Sequence, residues 1–353
     1  MKSETNGFSS SKIRLYIVLT IVFVAISYLS LVFVFHQFSD KSNFVSLKMF
    51  SGNTILYLLL LLIVYFSMDG LRLLFILKTL RAKIKFRFIA QLVFINIFIS
   101  NITPFATGGG FAQIYFLNKK GVPLGSAVAA TTIRTVLAML FFFIGTPLII
   151  LFEKNQALVF PKGKILGYAA FITSAYLLFF YMVIKKNRNL KRATMGISLF
   201  LKKRKMLSAI KYKNYLRNIF KALNSFSKNI NLFFKGGVIY IGLSIIFTLL
   251  FLLALFMFSV ILIAGLGYQI SAVSVILLQV LVTFLMYFAP TPGASGIAEG
   301  GYAFIFKHFV KGGDIVPLTF AWRFFTIYIG LAIGAVVFYT QFIKMNLRKN
   351  AKT

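Results

Sequence analysis

The chain has 353 residues, of which 59% are hydrophobic, 17% aromatic and only 13% charged, with 43 Phe and a mean hydropathy of +0.88; soluble domains do not have this composition. It contains no cysteine, which excludes disulfides, thiolate nucleophiles and Cys-metal sites, and the two histidines, His36 and His308, cannot build a His-rich metal centre. Against 6 acids stand 39 Lys and Arg, a net charge of +33, which indicates either a nucleic-acid footprint or the cytoplasmic loops of a membrane protein.

In chain order, the polar stretch Met1 to Lys12 leads into an apolar run at 13–35 that is too long for a signal-peptide core and lacks a small-residue cleavage site, so a retained first helix is expected. A helical crossing needs about 20 apolar residues. The runs 13–35, 53–77, 163–184 and 236–264 satisfy this plainly, and 125–152 and 316–342 do so while carrying one arginine each, Arg134 and Arg323. The stretches 86–118 and 270–310 are broken near the middle, by Asn101 to Gly110 and by Ala289 to Gly301. Between the two sets, 185–235 holds 15 Lys or Arg and no acid, so it is cytoplasmic. Within it Tyr212, Leu216, Ile219, Leu223, Phe226, Ile230 and Phe233 recur in steps of four and three with Lys and Arg between, the pattern of a basic amphipathic helix on an anionic leaflet.

Parity then fixes the broken stretches. With Lys2, Lys12 and Arg14 inside, 86–118 must return to the cytoplasm at Lys119 and Lys120, and 270–310 must open from outside for Lys344, Arg348, Lys349 and Lys352 to end inside. This topology places 30 basic residues inside and 7 outside, which accounts for the net charge and leaves no call for nucleic acid as a partner. The expected fold is an all-α polytopic membrane protein with about six full spans plus two Pro/Gly-broken re-entrant hairpins in an inverted repeat. The chain is expected to form a single domain over 1–353 in the cytoplasmic (plasma) membrane, with both ends cytoplasmic. The first hairpin is 86–118 with span 125–152, and the second is 270–310 with span 316–342. Each unit has Thr-Pro, then small residues and glycines, then an arginine in the following span.

Backbone is unwound in hydrocarbon only where it is buried in protein or lines a cavity. A half-helix starting near Gly110 or Gly296 would aim its N–H groups at mid-membrane, where an anion could be held. Arg134 and Arg323 would add formal charge there. Glu299 is the partner expected for Arg323, as a structural pair or as part of a pathway. Asp69 either satisfies Arg72 at i, i+3 or meets Arg134 as its charge partner. Asn101, Thr103, Thr107, Gln113, Thr291 and Ser295 are expected mostly to cap freed backbone groups, with ligand contact for a minority. Trp322 is read as an interfacial anchor, and His36, His308 and Asp314 as solvated near the external surface. No His-Glu-x-x-His, paired carboxylates, P-loop or dinucleotide fingerprint is present, so no enzyme and no cofactor are expected.

These residues together resemble the transmembrane, flippase-like domain of lysylphosphatidylglycerol synthases and its stand-alone relatives. The resemblance is carried by Thr103-Pro104, Gly108-Gly109-Gly110, Gln113 to Leu117 with Gly121, Pro290-Thr291-Pro292-Gly293, Ser295-Gly296, Glu299 and Trp322-Arg323. Where the family commonly has an acid after the first glycine pair, Gly110 and Phe111 stand here. The resemblance implies movement of a phosphate-containing polar lipid between leaflets. The soluble aminoacyl-transfer domain of full-length synthases has no counterpart after Gln341, so a stand-alone member is implied, and phosphatidylglycerol lysyltransfer would belong to the relatives. The substrate contacts so implied are Arg134, Arg323, Glu299, Thr103, Pro104, Gly108, Gly109, Gly110, Gln113, Thr291, Pro292, Gly293, Ser295 and Gly296. Expected partners are membrane lipids with an anionic headgroup and, in the alternative, a lipid-synthesising enzyme that this chain would assist without catalysis.

Overall fold

The computed structural model describes residues 10–38, 50–142, 230–287 and 289–350, with isolated positions 167, 174, 178, 195, 224 and 228. The predicted span 163–184, the end of 125–152 and nearly all of 185–235 lie outside the described residues. Among those described, every regular element is helical. The helices are α1 (Ser10–Phe38), α2 (Gly52–Thr79), α3 (Phe86–Ile102), α4 (Thr107–Lys119), α5 (Leu124–Leu140), α6 (Val238–Gly265), α7 (Ala272–Met286), α8 (Ile297–Phe306), α9 (Gly312–Arg323) and α10 (Ile329–Asn350). A π turn, Phe324–Tyr328, joins α9 to α10.

Among the described residues, four stretches are long and apolar enough to cross a membrane: Leu15–Gln37, Gly52–Thr79, Val238–Gly265 and Gly312–Gln341. Their exposed residues are themselves large and apolar, including Leu15, Ile21 and Leu29 on α1, Leu59 and Ile63 on α2, and Val238, Ile246 and Leu253 on α6. In water such a coat would aggregate; against lipid it has nothing to avoid. The chain is therefore an all-α, multi-pass membrane protein.

The longest contact runs between α2 and α6. Around it the packing partners recur: α2 on α3 and α6 on α7, α3 on α4 and α7 on α8, α4 on α5 and α8 on α9, α2 on α5 and α6 on α9. One apolar core is centred on α6 to α9 and another on α3 to α5. The N-terminal helix α1 lies against α3, α8 and α9.

The two breaks share one backbone conformation. Pro104–Ala106 and Pro292–Ala294 are single 3-10 turns, each holding two successive left-handed residues, Phe105 (φ 54) and Ala106 (φ 52) in the first, Gly293 (φ 58) and Ala294 (φ 56) in the second. A non-glycine residue in that region costs about 1–2 kcal/mol, and the first break carries two. The likeness read from the sequence as Thr-Pro with small residues thus resides in Thr-Pro-x-Ala. The breaks also touch: the second turn packs on the first and on the end of α3, where a Cβ at Gly293 would stand 3.0 Å from Asn101 Oδ1 and 3.2 Å from its carbonyl oxygen.

Candidate functional site

Each break is stitched by its own side chains. At the first, Thr103 Oγ1 donates to the Ile99 carbonyl (2.7 Å) and accepts from the Gly108 N–H (3.0 Å), while Thr107 Oγ1 donates to the Pro104 carbonyl (3.1 Å). Asn101 donates to the Ile97 carbonyl at 2.8 Å. At the second, Thr291 Oγ1 donates to the Ser295 carbonyl (2.8 Å), and the Ser295 hydroxyl meets Ser27 of α1 at 2.9 Å. The capping expected of Asn101, Thr103, Thr107 and Thr291 is what the geometry displays. Ser295 instead ties the break to α1 with its side chain.

The glycines divide by role. A Cβ at Gly108 would strike Thr103 and Ile99, and one at Gly109 would strike Ser100 and Asn96, so these two let α4 lie directly on α3. Gly110 faces open space, beside the exposed Phe111. Gln113 is buried, and its Nε2 has no hydrogen-bond partner.

Two buried charge groups stand among the described residues. In one, Asp69 of α2 is shared. Arg72 Nε donates to Asp69 Oδ1 at 2.5 Å, and Arg134 Nη2 of α5 reaches Oδ1 at 2.6 Å and Oδ2 at 2.5 Å. The two partners anticipated for Asp69 as alternatives are thus both engaged. The Arg72 guanidinium lies 3.8 Å from the centre of the Phe251 ring of α6, a desolvated cation–π contact. In the other group, Arg323 Nε donates to Glu299 Oε1 (2.7 Å) and Nη2 to the Gly293 carbonyl (2.8 Å), while Glu299 Oε2 accepts from the Gly296 N–H (2.7 Å). Glu299 and Arg323 are both fully closed to solvent. The start of α8, expected to present an open anion site near Gly296, is occupied by the carboxylate of Glu299, an internal anion at the positive end of the helix.

By helix rise, Asp69 lies roughly 15 Å from the end of α2 and Arg134 roughly 15 Å from the start of α5.

Trp322 corrects its expected role as an interfacial anchor. It is buried, stacked on Tyr302 with centroids 4.3 Å apart, and Tyr302 in turn donates to Ser259 (3.1 Å), which donates to Gln279 (2.7 Å). Asp314 is not simply solvated: it accepts from the Tyr268 hydroxyl at 2.8 Å. Sequence reasoning missed Ser27, one of several hydroxyls in the apolar helix α1 and with no signal to mark it. Finally, Leu31, Val32, Phe35, Phe50, Val316, Pro317 and Phe320 line a wholly apolar groove of about 480 Å³. Phe320 lies one turn before Arg323.

Apolar helices with an apolar exterior, two broken helices and buried ion pairs define a polytopic membrane protein with buried charge groups. The chain belongs to the family described as the lysylphosphatidylglycerol synthase TM region, which it matches over residues 16–334. Its relatives include a UPF0104 membrane protein of Archaeoglobus fulgidus, 23% identical over 294 residues that make up 83% of this chain and 88% of that one. Another is the UPF0104 membrane protein MJ1595 of Methanocaldococcus jannaschii, 29% identical over 237 residues, 64% of this chain and 66% of that one. The matched family is a transmembrane region.

Proposed function

We propose that the protein is a flippase-like lipid translocator that moves a phosphate-containing polar lipid between leaflets, with its two broken units arranged as an inverted repeat of re-entrant hairpins. The observation that carries this is the pair of breaks that share two successive left-handed residues and pack on one another, the second held by the buried Arg323 on the Gly293 carbonyl. A scaffold has no use for two such breaks, since each puts unwound backbone at membrane depth. A transporter does, because half-helices and freed backbone groups surround a midplane site in inverted-repeat carriers. The recurring order of packing partners supports the repeat, and the family's lipid association supports the substrate class.

Arg134 and Arg323 are the candidate phosphate contacts, with Thr103, Gln113, Thr291 and the small residues Gly108 to Gly110 and Gly293 to Gly296 shaping the path. The apolar groove beside Phe320 has the lining an acyl chain needs. The test is translocation of a panel of labelled lipids by the purified chain in proteoliposomes. Movement above protein-free vesicles that is lost in Arg134→Ala is the expected result. No movement of any phosphate-containing lipid would refute translocation and leave the accessory role beside a lipid-modifying enzyme.

A further inference from the structure

The two charge groups are not equivalent. Glu299 and Arg323 neutralise one another, and four of their polar atoms are spent on each other and on the second break. Asp69 has to serve two guanidiniums, and arginine does not give up its proton, so that group keeps one positive charge. Its members are 2%, 5% and 7% exposed. The other acids among the described residues are committed elsewhere, Glu299 to Arg323 and Asp314 to Tyr268. A buried cation without its own anion is strongly penalised, and the ring of Phe251 under Arg72 relieves only part of that.

Two further features point to a missing ligand. Arg134 Nε is buried and has no hydrogen-bond partner, although guanidinium donors away from water are normally paired; Arg323 Nη1 is likewise unpaired, but there the guanidinium has its own carboxylate. The hydroxyl of Tyr287, which follows α7 at the approach to the second break, lies within electrostatic reach of both Arg72 and Arg134. Its ring packs edge-on against Phe142 (5.3 Å between centroids), and the residue is 42% exposed.

We propose that Arg72, Arg134 and Tyr287 form a binding site for one phosphate-type oxyanion, with Asp69 as the resident counter-ion that holds the two guanidiniums when the site is empty. This deepens the translocation reading by assigning the headgroup contact to the first unit alone and by adding Arg72 to it. The fork geometry of two guanidiniums suits a phosphate monoester, which can take several charge-assisted hydrogen bonds at once. A lipid headgroup and free inorganic phosphate share that chemistry.

The test measures binding, not transport. Native mass spectrometry of the full chain in detergent compares retention of phosphatidic acid with that of diacylglycerol carrying the same acyl chains, with inorganic phosphate as competitor. Phosphatidic acid is expected to be retained at least about tenfold better than diacylglycerol, from one charge-assisted contact. Asp69→Asn, which raises the cluster charge, should strengthen that preference; Arg72→Gln, which leaves the Asp69–Arg134 pair intact, should abolish it. Lys78→Gln removes an exposed charge from the same helix and should change nothing. Loss of the preference on adding millimolar phosphate identifies the free anion as ligand; persistence identifies the lipid. Equal retention of both lipids with no phosphate effect, or Asp69→Asn and Arg72→Gln both matching the parent, overturns the site. A chain that binds phosphatidic acid as expected but moves no lipid keeps the site and sinks translocation.

Discussion

Replacing Glu299 by glutamine removes one charge from a pair that is closed to solvent on both sides. The carboxylate accepts from Arg323 Nε through one oxygen and from the Gly296 N–H through the other, each at 2.7 Å. Glutamine keeps the shape and one acceptor, but turns the other oxygen into an NH2 group facing a donor. Breaking a buried pair by removing one partner costs about 3–5 kcal/mol, because the remaining charge has lost its counter-ion. The donor-to-donor clash places Glu299→Gln in the upper part of that range. Arg323→Met leaves a buried carboxylate and also frees the Gly293 carbonyl, so it should cost about as much. The double variant should then be less harmful than the sum by about 0.5–3 kcal/mol, the coupling expected of residues in direct contact. The lone tryptophan makes the assay local: Trp322 is stacked on Tyr302 next to Arg323, so its fluorescence during denaturant unfolding in mild detergent reports on this region. Simple addition of the two single effects, or a Glu299→Gln protein as stable as the parent, would show that the pair does not tie the second break to α9.

Gly293→Ala should lower the melting temperature, because it adds about 1–2 kcal/mol of left-handed strain and sets a Cβ 2.5 Å from Phe23 Cε2; Gly110→Ala, whose Cβ meets nothing within 4 Å, should raise stability by about 0.5–1 kcal/mol. Equal melting of the two variants would refute the contrast. The absence of native cysteine allows single-cysteine labelling: Lys120→Cys should react from the cytoplasmic side and Lys311→Cys from the opposite side, and same-side labelling of both would remove the inverted arrangement. A site formed by arginines with few acids should favour phosphatidylglycerol or a polyprenyl-phosphate-linked sugar over lysylated phosphatidylglycerol in the translocation assay. Faster movement of the lysylated lipid would mean that the arginines bind only the shared phosphate.

Most of the architecture was legible in the sequence because membranes impose few choices. Runs of about 20 apolar residues are helices, and Pro with Gly inside such a run is a break. The Glu299–Arg323 pair was visible because an acid and a base at that depth must find partners. What stayed hidden needs three dimensions. Phe105 in a left-handed conformation cannot be read from its own identity; only superposition of Thr-Pro-Phe-Ala on Thr-Pro-Gly-Ala reveals it, since Gly293 makes the same geometry permissible where Phe105 makes it strained. Trp322 was misread for a related reason. Its position next to a charged residue suggested a membrane surface, whereas the aromatic contact with Tyr302 that buries it comes from α8.

The two breaks, alike in backbone, differ in what holds them. The second is fastened by a buried ion pair, by Arg323 on the Gly293 carbonyl and by Ser295 on Ser27 of α1. The first is held by neutral hydrogen bonds from Thr103, Thr107 and Asn101, and carries Phe105, strained and 60% exposed. Each neutral bond is worth about 1 kcal/mol net, against about 3–5 kcal/mol for separating a buried pair from one partner. Local opening is therefore cheaper at the first break, and amide hydrogen exchange should be faster at 105–110 than at 293–299 in the same detergent. Exchange that is equally slow at both breaks would mean that the glycine contacts of α4 on α3 hold the first as firmly as the ion pair holds the second.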